Sequence, residues 1–373
     1  MINPVIAIRY TLFALVPFSS YTLWMTVHRA GLAAHWFAAK ELPGNPEAKL
    51  FESITGLKKL DVGAKALILC FWPLCNGENP SLSLLGIPFA GSATIPYILL
   101  TLDGRRTRSV LSVAWRFAWL GVIQTFYSQA LLLPLYCAIT LSESPTGTTE
   151  SRKPHPTPAF RSTPYIKRSL LLGFYFYLPI FALPSPSILS HALKQALIAS
   201  FIGWSVWVFA VIWISVSTTP QSQPDKTKKE TDDLSARRPL YIIALTTASI
   251  SHLAAFLTPL FTASPCKSCM QDLRPGNVFI PALPWSVTEF ESYERGVAYF
   301  FQWDYILANI ALLLWAAGVY IRDCPEETKA GWGRLWWEVL GISALASPSG
   351  GAILLIWRLD GALCVAMERE KEQ

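Results

Sequence analysis

The chain has 373 residues, of which 52% are hydrophobic and 15% charged. Soluble domains carry about 25% charged residues, so this balance excludes an ordinary soluble protein and predicts one built into a membrane. The formal net charge of +6 is spread over connecting segments rather than gathered on one face, which argues against nucleic-acid binding.

Apolar segments suited to crossing a bilayer run over Ile6–Val27, Leu82–Leu102, Ser109–Leu141, Ile166–Pro184, Ala192–Val216, Leu240–Ala263, Val297–Ile321 and Trp337–Trp357. Val62–Cys75 is shorter and reads as re-entrant or half-crossing. The expectation is an all-α, polytopic integral membrane protein with eight or nine transmembrane helices in one bundle. The first apolar segment lacks a basic leader and contains Arg9, so it reads as a retained span. Loop charge favours eight crossings, with the N-terminus lumenal, the 218–238 loop cytosolic and Lys194 among the lumenal loop cations. The whole of 1–373 reads as a single membrane domain. Flexible polar loops are expected at 142–164 and 218–238, where the sequence is Pro-rich and charged without apolar periodicity. The loop Ser264–Arg295 is apolar and aromatic between its prolines, which suits packing on the membrane face or covering a cavity.

The most informative span is Val297–Tyr320, because it carries a lone carboxylate, Asp304, beside Gln302, Trp303 and Tyr305. A carboxylate inside a span costs about 2.5–3.5 kcal/mol on insertion scales and usually faces a protein interior. At 100° per residue, Phe300, Phe301, Ala308, Ala311 and Trp315 fall on or near its face. Two readings stand: a proton donor in an aromatic-walled cleft, or a buried ion pair or helix-to-helix hydrogen bond. Apolar surroundings penalise the anion and would favour the donor. Asp61, ahead of the short apolar segment, is either a second catalytic acid or a helix cap.

In Ser109–Leu141, Arg116 and Tyr127 share a face with Gln124 near it, while Gln129 points to the opposite side. Arg116 would orient Asp304, grip a polar substrate head, or anchor the helix at the interface. Arg116, Gln124 and Tyr127, together with Phe301, Gln302, Trp303 and Trp315, are the candidate substrate contacts. His252 is a lone mid-span histidine, a packing residue before it is a ligand. Cys266 and Cys269 form a single CxxC; free thiols, a local disulfide and a metal site all remain open.

Neither aspartate-rich diphosphate motifs nor di-iron histidine clusters, a P-loop or a nucleophile elbow occurs, so no metal and no cofactor are expected. A transporter using Asp304 as a proton or cation site is the rival reading. Paired broken helices would favour it, and one break is foreseeable at Ser347-Pro348-Ser349-Gly350-Gly351.

Several local patterns carry a resemblance. Leu69-Cys70-Phe71-Trp72-Pro73 precedes Gly77 and Pro80-Ser81-Leu82-Ser83-Leu84, then Phe89-Ala90-Gly91; Pro134-Leu135-Tyr136 and Gln302-Trp303-Asp304 follow. These resemble the fungal integral-membrane terpene cyclases of meroterpenoid pathways, of the macrophorin and ascochlorin/ascofuranone type. The resemblance implies a membrane enzyme, expected in the endoplasmic reticulum, that protonates a terminal alkene or epoxide of a farnesylated precursor and cyclises the prenyl chain without metal. A lipophilic prenylated substrate and membrane lipid are its implied partners. No obligatory protein partner is evident.

Overall fold

A computed structural model describes residues 3–54, 56–104, 110–142, 159–218, 230–261, 273–325 and 332–372. Cys266, Cys269, Arg105, Arg106 and Arg108 lie outside the described residues.

The first helix, α1 (Pro4–Ser19), starts where Asn3 caps it, its side chain accepting from the Val5 amide at 2.9 Å, and where proline takes the first position. It continues through a π-turn (Ser20–Met25) into α2 (Thr26–Arg29). Gly31, at φ +89°, reverses the chain into α3 (Leu32–Ala38). A hairpin of β1 (Glu41–Leu42) and β2 (Asn45–Lys49) follows, paired antiparallel. Then come α4 (Lys58–Cys75), α5 (Pro80–Gly104), α6 (Val110–Tyr127) and α7 (Gln129–Ser142). Beyond them lie α8 (Ala159–Leu170), α9 (Tyr177–Ala182), α10 (His191–Ser200), α11 (Trp204–Thr218) and α12 (Glu230–Phe261). The chain closes with α13 (Pro275–Phe279), α14 (Tyr293–Asp323) and α15 (Trp332–Glu372).

α14 is the axis of the bundle and packs against α1, α5, α7 and α15. Ser292 caps its start, accepting from the Arg295 amide at 3.3 Å. It ends at Cys324, which is extended because Pro325 disfavours the helical region for the residue before it. The apolar core falls into two clusters stacked along α14. One gathers the chain around Ala308–Tyr320, the other the chain around Val297–Leu307.

The described residues are helical apart from the hairpin and short connections, in keeping with the all-α expectation. Among the described residues, six helices suit membrane crossing by length and composition: Pro4–Arg29, Pro80–Asp103, His191–Thr218, Arg237–Phe261, Tyr293–Asp323 and Gly333–Ala366. The expected eight or nine are therefore not all matched by long apolar helices. One reason is that Ser109–Leu141 is not continuous. Ser128 adopts φ +79° and divides it into α6 and α7. The short Val62–Cys75 segment belongs to α4, which starts earlier, at Lys58, and packs against α3, α5 and α10. Helix begins at Ala159 and at Glu230, inside the two segments expected as polar loops; 143–158 and 219–229 lie outside the described residues. The anticipated break in the last helix falls at Ala346 and Ser347.

Candidate functional site

Three consecutive side chains of α14 each hold the backbone of a different segment. Gln302 Nε2 donates to the carbonyls of Asn277 (3.0 Å) and Val278 (2.8 Å), and so pins α13 over this end of the bundle. Trp303 Nε1 donates to the Ala282 carbonyl at 3.0 Å, with its ring edge-on to Phe18. Arg29 clasps the same loop through the carbonyls of Pro284 and Val287. The segment after α13 therefore covers the bundle end, as its apolar composition suggested.

Asp304 is buried, and its Oδ1 accepts from the Ala130 amide at 2.6 Å. The break at Ser128 exposes that amide. Where α7 begins, its first N–H groups have no partner within the helix. Ser128 Oγ accepts from Leu131 N at 3.3 Å, and Asp304 reaches across from α14 to take Ala130 N. The carboxyl thus lies at the positive end of a helix, where negative charge is favoured.

The aromatic wall lies beside it. Phe301 packs edge-on against Phe71 (5.1 Å) and Phe89 (5.0 Å), and Phe71 in turn meets Phe181 and Phe201. Phe300 meets Trp24 and Trp36. Rings from α3, α4, α5, α9 and α14 thereby converge on the first third of α14.

Other expected site residues fall elsewhere. Trp315 is fully buried but three turns further along α14, about 16 Å at 1.5 Å per residue, where its Nε1 donates to Thr140 Oγ1. It belongs to the other core cluster. Arg116 and Tyr127 do share a face of α6, but that face is exposed and Gln124 is only half-buried. Gln129, read as pointing away, is the buried one, next to the amide that Asp304 holds. Arg116 lies about 18 Å along the helix before the Ser128 break and is not brought to Asp304. Asp61 falls in the first turn of α4. Its oxygens accept from Ser53 Oγ (2.8 Å) and Ile54 N (3.0 Å), so it ties the preceding loop to the helix, away from the aromatic wall.

Sequence reasoning missed two buried groups. Lys194, counted as a loop cation, is fully buried in α10 and donates to the carbonyls of Cys75 (2.9 Å), Phe181 (2.6 Å) and Leu183 (2.5 Å). Its place on the apolar face of a short helix was the available signal. Asp360 is buried and accepts from Arg237 Nη1 (3.1 Å) and Tyr241 Oη (2.6 Å).

Fold and site together define a helical protein with a carboxyl held inside its bundle, and several long apolar helices suit a membrane protein. A family model, the CtvD domain, matches residues 8–364, so the chain belongs to that family. It is 42% identical to the terpene cyclase sdgD of Emericella nidulans over 95% of each chain. It is 34% identical to the terpene cyclase verU1 of Penicillium polonicum over 100% of this chain and 99% of the relative. To the terpene cyclase atmA of Aspergillus flavus it is 27% identical, over 95% and 97%. No solved structure matches it.

Proposed function

We propose that this chain is a membrane-embedded terpene cyclase that acts on a farnesylated precursor entering from the bilayer. Its relatives' names support cyclisation of a terpenoid; the mechanism is argued from the site. The reaction starts when Asp304 protonates a terminal alkene or epoxide, and no metal takes part. Phe301, Phe71 and Phe89 then shelter the cation, since aromatic faces stabilise positive charge without supplying a nucleophile.

The observation that carries this reading is the contact of Asp304 with the first N–H groups of α7. A general acid must leave a tolerable conjugate base, and a carboxylate left behind here is held by a charge-assisted hydrogen bond and a helix N-terminus. Gln302 and Trp303 are read as holding the cover over the substrate, and Asp61 as bracing α4. The enzyme is placed in the endoplasmic reticulum. Its eight crossings are reached by counting α6–α7 and α8–α9 as two interrupted spans.

The rival transporter reading gains one observation, because a second broken helix, at Ser128, joins the one at Ser347. Cyclisation by the wild-type chain separates the two, and one substitution then tests the donor. Asp304→Asn can still accept from the Ala130 amide but has no acidic proton. In microsomes where the wild-type chain cyclises a farnesylated phenol bearing a terminal epoxide, the folded variant is expected to consume it at least 10²-fold more slowly, given the usual contribution of about 10²–10⁴ from general-acid catalysis. Near-normal consumption by a folded Asp304→Asn rules out Asp304 as the donor.

A further inference from the structure

A proton-initiated cyclisation also needs a group to take a proton back, and the aromatic wall leads to one. Tyr305 follows Phe301 by four residues, so both project from one face of α14, with Tyr305 a turn deeper. It is buried, and its Oη is 3.4 Å from His252 Nδ1 on α12. The His252 ring is 4.5 Å from Phe256, which stacks at 4.2 Å on Phe279 of the covering helix α13. A buried tyrosine and a half-buried histidine thus lie beneath the segment that Gln302 pins down.

The break in α15 explains how the pair is oriented. Pro348 has no N–H, so the Ala344 carbonyl four residues earlier lacks its helical donor. His252 faces that carbonyl. In the tautomer that carries its N–H on the other ring nitrogen, Nδ1 accepts from Tyr305 Oη. Ser347, at φ +63°, also contacts the Tyr305 side chain and donates to Asn309 Oδ1 at 3.3 Å. Asn309 Nδ2 in turn holds the Tyr305 carbonyl at 2.8 Å. Two helices and the broken turn of a third thereby fix one phenol against one imidazole.

We propose that Tyr305 and His252 are the proton-accepting pair that ends the reaction. The cyclised cation loses a proton from a carbon next to its cationic centre to Tyr305 Oη, and the proton already on Oη passes to His252 Nδ1. The C–H electron pair becomes the new C=C bond, tyrosine stays neutral and histidine becomes imidazolium. One proton has entered from the acid and one has left to His252, so the step needs no oxidant, reductant or co-substrate. Tyr305 is the catalytic residue of the pair, and His252 acts through it.

This proposal rests on the cyclase reading, and the test separates the two. Substrate consumption reports the acid, whereas product composition reports the acceptor. With the same epoxide-bearing farnesylated phenol, folded Tyr305→Phe should consume substrate within about tenfold of wild type. The alkene that dominates the wild-type product should fall at least fivefold, replaced by double-bond isomers and water-captured alcohol. His252→Gln should shift the composition the same way by less. It carries the test alone if Tyr305→Phe does not yield a monodisperse protein in detergent. Wild-type product composition from the folded variants, at whatever rate, overturns the pair as acceptor and leaves the acid untouched. Complete loss of consumption by the folded variants overturns it as well, because the pair would then act at initiation.

Discussion

The two halves of α14 bury themselves by different means. From Ala308 onward the helix is packed by shape, with Ala308, Ala311, Ala316, Ala317 and Gly318 all buried. A Cβ on Gly318 would lie 2.9 Å from a methyl of Leu141 and 3.4 Å from one of Ile8, so side chains of α7 and α1 already fill the space a larger residue would need. From Phe300 to Asn309 the same helix carries side chains whose polar atoms hold other segments: the covering loop, the start of α7, and the break in α15. In the half beyond Asn309, substitutions should act on stability and leave the chemistry alone. Between Phe300 and Asn309 they should move the parts that do the chemistry.

The largest test of that division lies in the aromatic half but away from α14. Lys194 Nζ satisfies three carbonyls at the ends of α4 and α9, which carry Phe71 and Phe181. Lys194→Met keeps the stem and removes all three hydrogen bonds. A buried polar group left unpaired costs about 1–3 kcal/mol, so the variant should lose at least about 3 kcal/mol. Thermal unfolding in detergent would show it as a large drop in midpoint. An unchanged midpoint would mean that water reaches those carbonyls, and that this end is less dry than the packing implies.

A smaller effect is expected at the cover. Gln302→Leu removes two hydrogen bonds to α13, each contributing about 1 kcal/mol, and about 1.4 kcal/mol changes an equilibrium tenfold. Opening of the 273–292 segment should become roughly thirtyfold more frequent while the global midpoint barely moves. Phe279 is buried, so chymotrypsin can cut after it only when that segment lifts. Cleavage there should speed up by about the same factor. Equal cleavage rates for variant and wild type would show that Arg29 and Trp303 suffice to hold the loop.

What the sequence made legible follows the same division. A long apolar run with one carboxylate singled out α14 and Asp304, because length and the cost of burying charge are local properties. Pro348 and its glycines marked one helix break in advance. The partner of Asp304 left no such trace, since it is a backbone amide freed by Ser128, and serine does not announce a left-handed turn. Periodicity correctly put Arg116 and Tyr127 on one face, yet period alone does not say which face turns inward. The structure turns that face outward and buries Gln129 instead. Lys194 was misjudged for a related reason: its partners, three carbonyls, come from distant segments, and Asp360 left no trace because Arg237 and Tyr241 are also distant in sequence.

The smallest expected effect concerns Ser128, where the two halves meet. Its φ of +79° costs a serine about 1 kcal/mol that glycine escapes. Against this, glycine loses more conformational freedom on folding, about 0.5–1 kcal/mol, and forfeits the cap from Ser128 Oγ to Leu131 N, a few tenths more. The contributions nearly cancel. Ser128→Gly should therefore match wild type within about 0.5 kcal/mol and keep substrate consumption within twofold, because the Ala130 amide still faces Asp304. Ser128→Val should behave differently. A β-branched residue at positive φ is strained and cannot cap, so the turn should shift and draw the amide away from the carboxyl. A glycine variant as slow as Asp304→Asn would show that the hydroxyl itself takes part, and the break could no longer be read as a backbone device for presenting Ala130.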